Sequence, residues 1–180
     1  MKKIILAVVL FISLSGVNVV RAQNKPMAVP DILQKIMNWE GDWQAKLTMK
    51  MGDMTSTSMD NISFSKASDG MGVSAKEWMD SPKGGKIYIT HLVGYNMEEK
   101  RLHWFSVDNM GGCGESIGTL AGDNHIHLAG SGKENGKPMK SSIDLIIKNN
   151  NTVDFNLVVT VDGKTTRTMM GTFMRKSSSN

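Results

Sequence analysis

Four histidines and a single cysteine set the limits of the chemistry this chain can perform. His125-Ile126-His127 places two imidazoles on one face of an extended segment, because side chains two apart on a strand point the same way. Two nitrogen ligands begin a transition-metal site and do not complete one, so no metal site is assigned. His91 alternates with Ile87, Ile89 and Val93, and His103 with Phe105 and Val107. Both histidines thus share parity with apolar residues and are expected to line one interior, where an imidazole orients a polar ligand group or ligates a haem iron.

Methionine is the next unusual quantity, at 15 residues. Met49-Lys50-Met51 sets two thioethers on one strand face, and Met54, Met59, Met79, Met139, Met169 and Met170 are dispersed after it. Thioethers suit Cu(I), yet ligands scattered over many strands fit adaptable packing around an apolar space better. Gly114-Glu115-Ser116-Ile117-Gly118 spells a nucleophile elbow. That motif works only at a sharp strand-to-helix turn, and no helix follows it here. Cys113 has no base beside it in the sequence. No catalytic residue is assigned, and the chain is expected not to be an enzyme and to need no cofactor.

The elements that must position these residues are almost all strands. Asp31 with Gln34 three residues on resembles a capping box, and Ile32, Leu33 and Ile36 share one face, which predicts a turn or two of helix ending by Gly41. Beyond it the apolar period is two, with strands expected near 43–51, 56–66, 71–79, 85–93, 100–107, 115–121, 124–130, 139–148, 152–161 and 165–175. Connections as short as Gly122-Asp123 and Asp162-Gly163 favour antiparallel hairpins. A meander this long hides its edges most simply by closing. The expected fold is all-β: a single antiparallel up-and-down barrel of about ten strands with a short N-terminal helix at one end.

Face assignments follow from the turns. Ala121 opposite Asn124 would set Thr119 beside Ile126 and Ile117 beside Leu128 inside, leaving His125 and His127 to solvent. In the last strand two registers satisfy the pattern. A two-residue turn at Asp162-Gly163 points Met170 inward with Arg167 and Arg175 outward, whereas a longer loop with a bulge turns Met169 and Phe173 inward.

Lys2 and Lys3 before the apolar run Ile4 to Leu14, with Val20-Arg21-Ala22 as a cleavage site, read as a secretory signal over residues 1–22. The expected organisation is that signal, a disordered segment 23–29, a barrel domain 30–176 and a disordered tail 177–180, exported to the periplasm or beyond. No second apolar run suggests an integral membrane segment. Removing Lys2, Lys3 and Arg21 from 21 basic residues against 17 acidic ones lowers the formal charge from +4 to +1. Nucleic acid is therefore not an expected partner. One cysteine permits no internal disulfide.

Leu33 through Trp43, Gly94-Tyr95-Asn96 followed by Lys100-Arg101-Leu102, Asp108 and the closing Met174-Arg175-Lys176 resemble the bacterial family catalogued as domain of unknown function 1579. The resemblance covers nearly all of the chain after residue 22. That family is similar to the calycin superfamily of lipocalins, fatty-acid-binding proteins and nitrobindin-type haem barrels. The resemblance implies that Gly41 and Trp43 close one end, with Arg175 or Arg167 laid over the indole. Such a barrel is expected to bind a small, largely apolar molecule in its cavity, which strand parity lines with Met49, Met51, Ile89, His91, His103, Phe105 and Phe155. A haem or metal barrel using His91, His103 or the thioethers is the first alternative, and a packed structural or interaction module the second. The family turn often carries Asp where this chain has Asn96, and the last strands lack the histidine of nitrobindin-type barrels.

Overall fold

An antiparallel meander leaves two rows of unpaired backbone groups unless its first and last strands meet. In the computed structural model of this chain they do. The structure describes residues 28–81 and 84–177, so the expected signal peptide lies outside the described residues. A helix, α1 (Asp31–Met37), leads into β1 (Gly41–Met51), β2 (Met54–Ala67), β3 (Gly72–Asp80), β4 (Lys86–Asn96) and β5 (Arg101–Asp108). There follow β6 (Cys113–Gly122), β7 (His125–Glu134), β8 (Lys137–Asn149), β9 (Thr152–Val161) and β10 (Lys164–Arg175). Each strand pairs with its sequence neighbours, and β10 pairs with β1 to close the barrel.

The turns show why the chain folds back where it does. Asn135 and Gly136 have φ of 51° and 78°, and Asp162 and Gly163 have 52° and 77°. Two successive positive φ values define the turn whose twist matches antiparallel strands, and Asn-Gly and Asp-Gly are the pairs that adopt it at least cost. Asn96 Oδ1 accepts hydrogen bonds from the backbone N–H groups of Glu98 and Glu99 at 3.0 and 3.1 Å. An amide oxygen therefore shapes that turn without a carboxylate.

Strand β10 combines the two alternatives open in its sequence. Lys164 lies opposite Val161 across a two-residue turn, and a bulge then shifts the register so that Arg167 opposes Val159 and Met169 opposes Leu157. One extra residue at Thr166 reverses the facing of everything after it. Met169 and Phe173 turn inward, while Met170 is 47% exposed on the outside.

The core gathers at the end of the barrel covered by α1. Ile32, Leu33, Ile36 and Met37 of the helix join Trp39, Trp43, Ile62, Phe64, Val93, Leu102, Ile126 and Leu128 in one cluster. The helix differs from expectation at its start: Pro30 is the N-cap and no side chain caps it, so Asp31 and Gln34 do not form a capping box. Val29 packs against the same cluster, so order begins before Pro30.

Arg175 locks this end. Its guanidinium carbon lies 4.6 Å from the centre of the Trp43 ring. Its nitrogens donate to the carbonyls of Asn38, Glu40 and Asn150, tying the helix exit and the β8–β9 turn to the barrel wall. Trp43 Nε1 in turn donates to the Trp39 carbonyl at 2.7 Å. Gly41 sits beneath the guanidinium at φ +114°, and a Cβ there would come within 3.3 Å of Arg175 Nη1. The arginine partner of Trp43 is thus Arg175.

Arg175→Lys keeps the charge and loses the planar fork that reaches three carbonyls. We expect it to destabilise the protein by about 1–3 kcal/mol, from lost charge-assisted hydrogen bonds and stacking. A urea midpoint equal to that of the parent protein would show that this lock contributes nothing.

Candidate functional site

The barrel is not packed solid. A cavity of about 520 Å³ runs from Trp39 and Trp43 at the closed end to Met139, Arg167 and the Gly112–Gly114 strand entry at the other. Its wall is mostly apolar, with Leu47, Ile62, Phe64, Ile89, Leu128, Ile143, Leu145, Phe155, Leu157 and Phe173 among the lining residues. That volume falls within the roughly 300–1,000 Å³ typical of small-molecule pockets.

Strand pairing places one polar cluster in this apolar wall. Asp60 shares the inner face of β2 with Ile62 and Phe64, Glu77 that of β3 with Ala75 and Met79, and Trp104 that of β5 with Leu102. His91 faces them from β4 and is 7% exposed. The Trp104 indole N–H donates to His91 Nδ1 at 3.0 Å. An indole nitrogen only donates, so His91 Nδ1 is unprotonated and the ring proton sits on Nε2. That nitrogen lies 2.8 Å from Glu77 Oε2 and donates to it. The contact is a directed hydrogen bond from a tryptophan-oriented imidazole.

Asp60 completes the cluster. Burial in the barrel wall, and then the charge and hydrogen bond of Glu77, push its carboxyl up to about 9, against a partly opposing backbone hydrogen bond at Asn61. Desolvation and a like charge both disfavour the carboxylate. Asp60 therefore keeps its proton at neutral pH and donates it to Glu77. Asp60 is 1% exposed, and its Oδ1 has no hydrogen-bond partner; among the described residues it is the one buried side-chain polar atom in that state. A buried acceptor without a donor carries a cost of about 1–3 kcal/mol, which a suitable donor relieves. Asp60 is among the residues that line the cavity.

The residues expected inside divide. Ile89, His91 and Phe155 line the cavity. Met49 lies on the inner parity of β1 half-buried beside Met169, outside the cavity lining, and Met51 is 40% exposed at the strand's end. His103 and Phe105 are corrected: both face outward. Asn96 lies opposite Arg101, so odd-numbered residues of β4 share a face with even-numbered residues of β5, and Trp104 and Ser106 take the inner positions. Phe105 is 44% exposed, lies opposite the exposed Leu92, and stacks with His103 on the outer wall. His103 is held between Glu115 at 2.5 Å and Glu99 at 3.1 Å; hydrogen bonding to Glu115 raises its pKa, with Glu99 adding to the rise against an opposing desolvation.

Across β6 and β7 the pairing also differs by one. A bulge at Ala121 sets Leu120 opposite Ile126 and Gly118 opposite Leu128, so Thr119 and Ile117 lie outside with His125 and His127. A Cβ at Gly118 would come within 2.5 Å of Leu128 Cδ2, so Leu128 would have to shift to admit one. Cys113 is a free, exposed thiol at the cavity mouth.

Haem ligation by His91 does not fit this arrangement, because both ring nitrogens are committed, one to Trp104 and one to Glu77. His103 lies on the opposite side of the wall. Met79, Met139 and Met169 line the cavity among other apolar residues, whereas Met54, Met97, Met110, Met170 and Met174 are exposed, so the thioethers are dispersed.

Comparison with known proteins supports the barrel. No protein-family model and no curated protein matches the sequence. Among solved structures, Rv2717c from M. tuberculosis superposes with a TM-score of 0.59 at 12% identity, over 83% of this chain and 100% of that one. The S-type phycobiliprotein lyase CPES from Guillardia theta superposes with a TM-score of 0.53 at 11% identity, over 83% and 93%. These likenesses show the fold alone, a closed β-barrel shared at very low sequence identity.

A carboxyl that ionises at 3.8 when unfolded and near 9 when folded destabilises the fold progressively as pH rises through that window. The slope is at most about 1.4 kcal/mol per pH unit. Asp60→Asn removes the titration and keeps the shape. We expect the variant to gain stability relative to the parent protein as pH rises from 5 to 8, read from urea unfolding; a constant difference across that range would contradict the retained Asp60 proton.

Proposed function

We propose that this protein is an exported binding barrel that takes a small, largely apolar molecule into its cavity with a hydrogen-bond-donating head group set against Asp60. The observation that carries this reading is the orphaned Asp60 Oδ1 in an apolar cavity of about 520 Å³. An apolar wall drives entry by removing the ligand's surface from water, and one convergent acceptor fixes which end goes in. His91 and Trp104 hold the polar cluster in register. They position it, and neither contacts the ligand through a free nitrogen.

Export rests on the Lys2-Lys3 and Ile4–Leu14 pattern, and membership of the family catalogued as domain of unknown function 1579 on the turn and closing-strand residues that resemble it. Carriage or sensing is favoured over catalysis because His91, the imidazole in the cavity wall, has both ring nitrogens engaged, one by Trp104 and one by Glu77.

A pair of probes that differ by one donor tests the reading: a long-chain primary alcohol and the methyl ether of the same chain, measured by displacement of a neutral fluorescent dye. The alcohol is expected to bind about tenfold more tightly, equivalent to about 1.4 kcal/mol for one buried hydrogen bond. Asp60→Leu should abolish the difference while keeping dye binding. Equal affinities would remove Asp60 from the site, and failure of every probe would remove the container.

A further inference from the structure

On the outer wall, across the sheet from the cavity, three ligand atoms converge. His125 Nε2 lies 2.8 Å and His127 Nδ1 2.9 Å from one oxygen, Asp144 Oδ1. All three atoms lie within 4.8 Å of one another. Strand geometry is the cause: residues 125 and 127 project from one face of β7, and Asp144 stands directly opposite His127 on β8.

We propose that His125, His127 and Asp144 form a binding site for a divalent transition cation of the Zn2+ class, with a fourth coordination position open to solvent. Two imidazoles and a carboxylate are a donor set that borderline cations prefer over magnesium or calcium. A cation about 2.0–2.2 Å from each ligand requires the nitrogen–oxygen separations to widen by only a few tenths of an ångström, within reach of side-chain torsions on an unchanged ladder. On binding, each imidazole coordinates through the nitrogen now facing Asp144, and its proton passes to the other ring nitrogen.

Three features set this cluster apart from an ordinary surface ion pair. Both imidazoles aim at a single oxygen, as ligands around a common centre do. Among the described residues the side-chain hydrogen bonds of Asp144 are with these two histidines, and its cross-strand neighbours are His127 and Asn156, so no described lysine or arginine must be displaced. The side chains are 38%, 40% and 29% exposed, enough for a hydrated cation to reach them, while paired strands on both sides keep the backbone in place.

The test uses purified protein without a polyhistidine tag. Calorimetric titration with Zn2+ is expected to show one site of micromolar affinity or tighter, and Co2+ should give the visible bands of four-coordinate geometry. Removing one of three ligands by His127→Ala or Asp144→Ala should weaken Zn2+ binding at least about tenfold, with the far-ultraviolet circular dichroism unchanged. His103→Ala, on the same outer surface between two carboxylates, should leave it unaltered. Binding only in the millimolar range, or binding equally sensitive to His103→Ala, would overturn the site and leave a hydrogen-bonded surface cluster.

Discussion

The pairing of β1 with β10 is the constraint on which the rest depends. Trp43 opposes Arg175 and Met49 opposes Met169 across this ladder, so the last strand must arrive in one register to satisfy the first. The bulge between Thr165 and Arg167 sets that register by turning Met169 and Phe173 to the interior. With the register set, Arg175 falls over the Trp43 ring and its fork reaches the carbonyls that hold α1 against the barrel end. A strand without the bulge would bring its opposite face inward. Closure, end-sealing and cavity shape therefore share one local irregularity.

A sealed end forces the chemistry of the interior. Asp60 and His91 are buried in the barrel wall, so the groups of the polar cluster must largely satisfy one another. Trp104 and His91 do so by a directed pair of hydrogen bonds ending on Glu77. Asp60 does so by keeping its proton, and even then one oxygen remains without a partner. Such a defect persists because the ladder around it overdetermines the position of the side chain. It gives a mostly apolar pocket a direction.

Much of the fold was legible in the sequence. Alternation and turn residues located the ten strands to within a few positions, and Asp-Gly and Asn-Gly pairs acted where their torsional preferences say they should. Facing was harder, for a physical reason. Strands β4 and β5 are apolar on both sides, with Leu92 and Phe105 exposed outside and Val93 and Leu102 buried inside, so alternation there did not identify the inner face. The Asn96–Arg101 pairing decided it and sent His103 outward. Asp60 and Glu77 carried a readable signal that was missed: each is an acid at the parity of an apolar stripe, the first with Ile62 and Phe64 and the second with Ala75 and Met79. Asp144 had no such mark, because a ligand supplied across a ladder belongs to strand pairing and not to spacing.

The central claim is that Asp60 holds a proton in a cavity that a ligand can enter. Carbon-13 NMR of protein labelled at the aspartate carboxyls reads both parts in one titration. The account requires one aspartate resonance that stays in its protonated position at neutral pH, titrates near 9 and moves when a long-chain alcohol is added. Aspartate resonances that all titrate in the ordinary acid range, with none shifted by the alcohol, would contradict it.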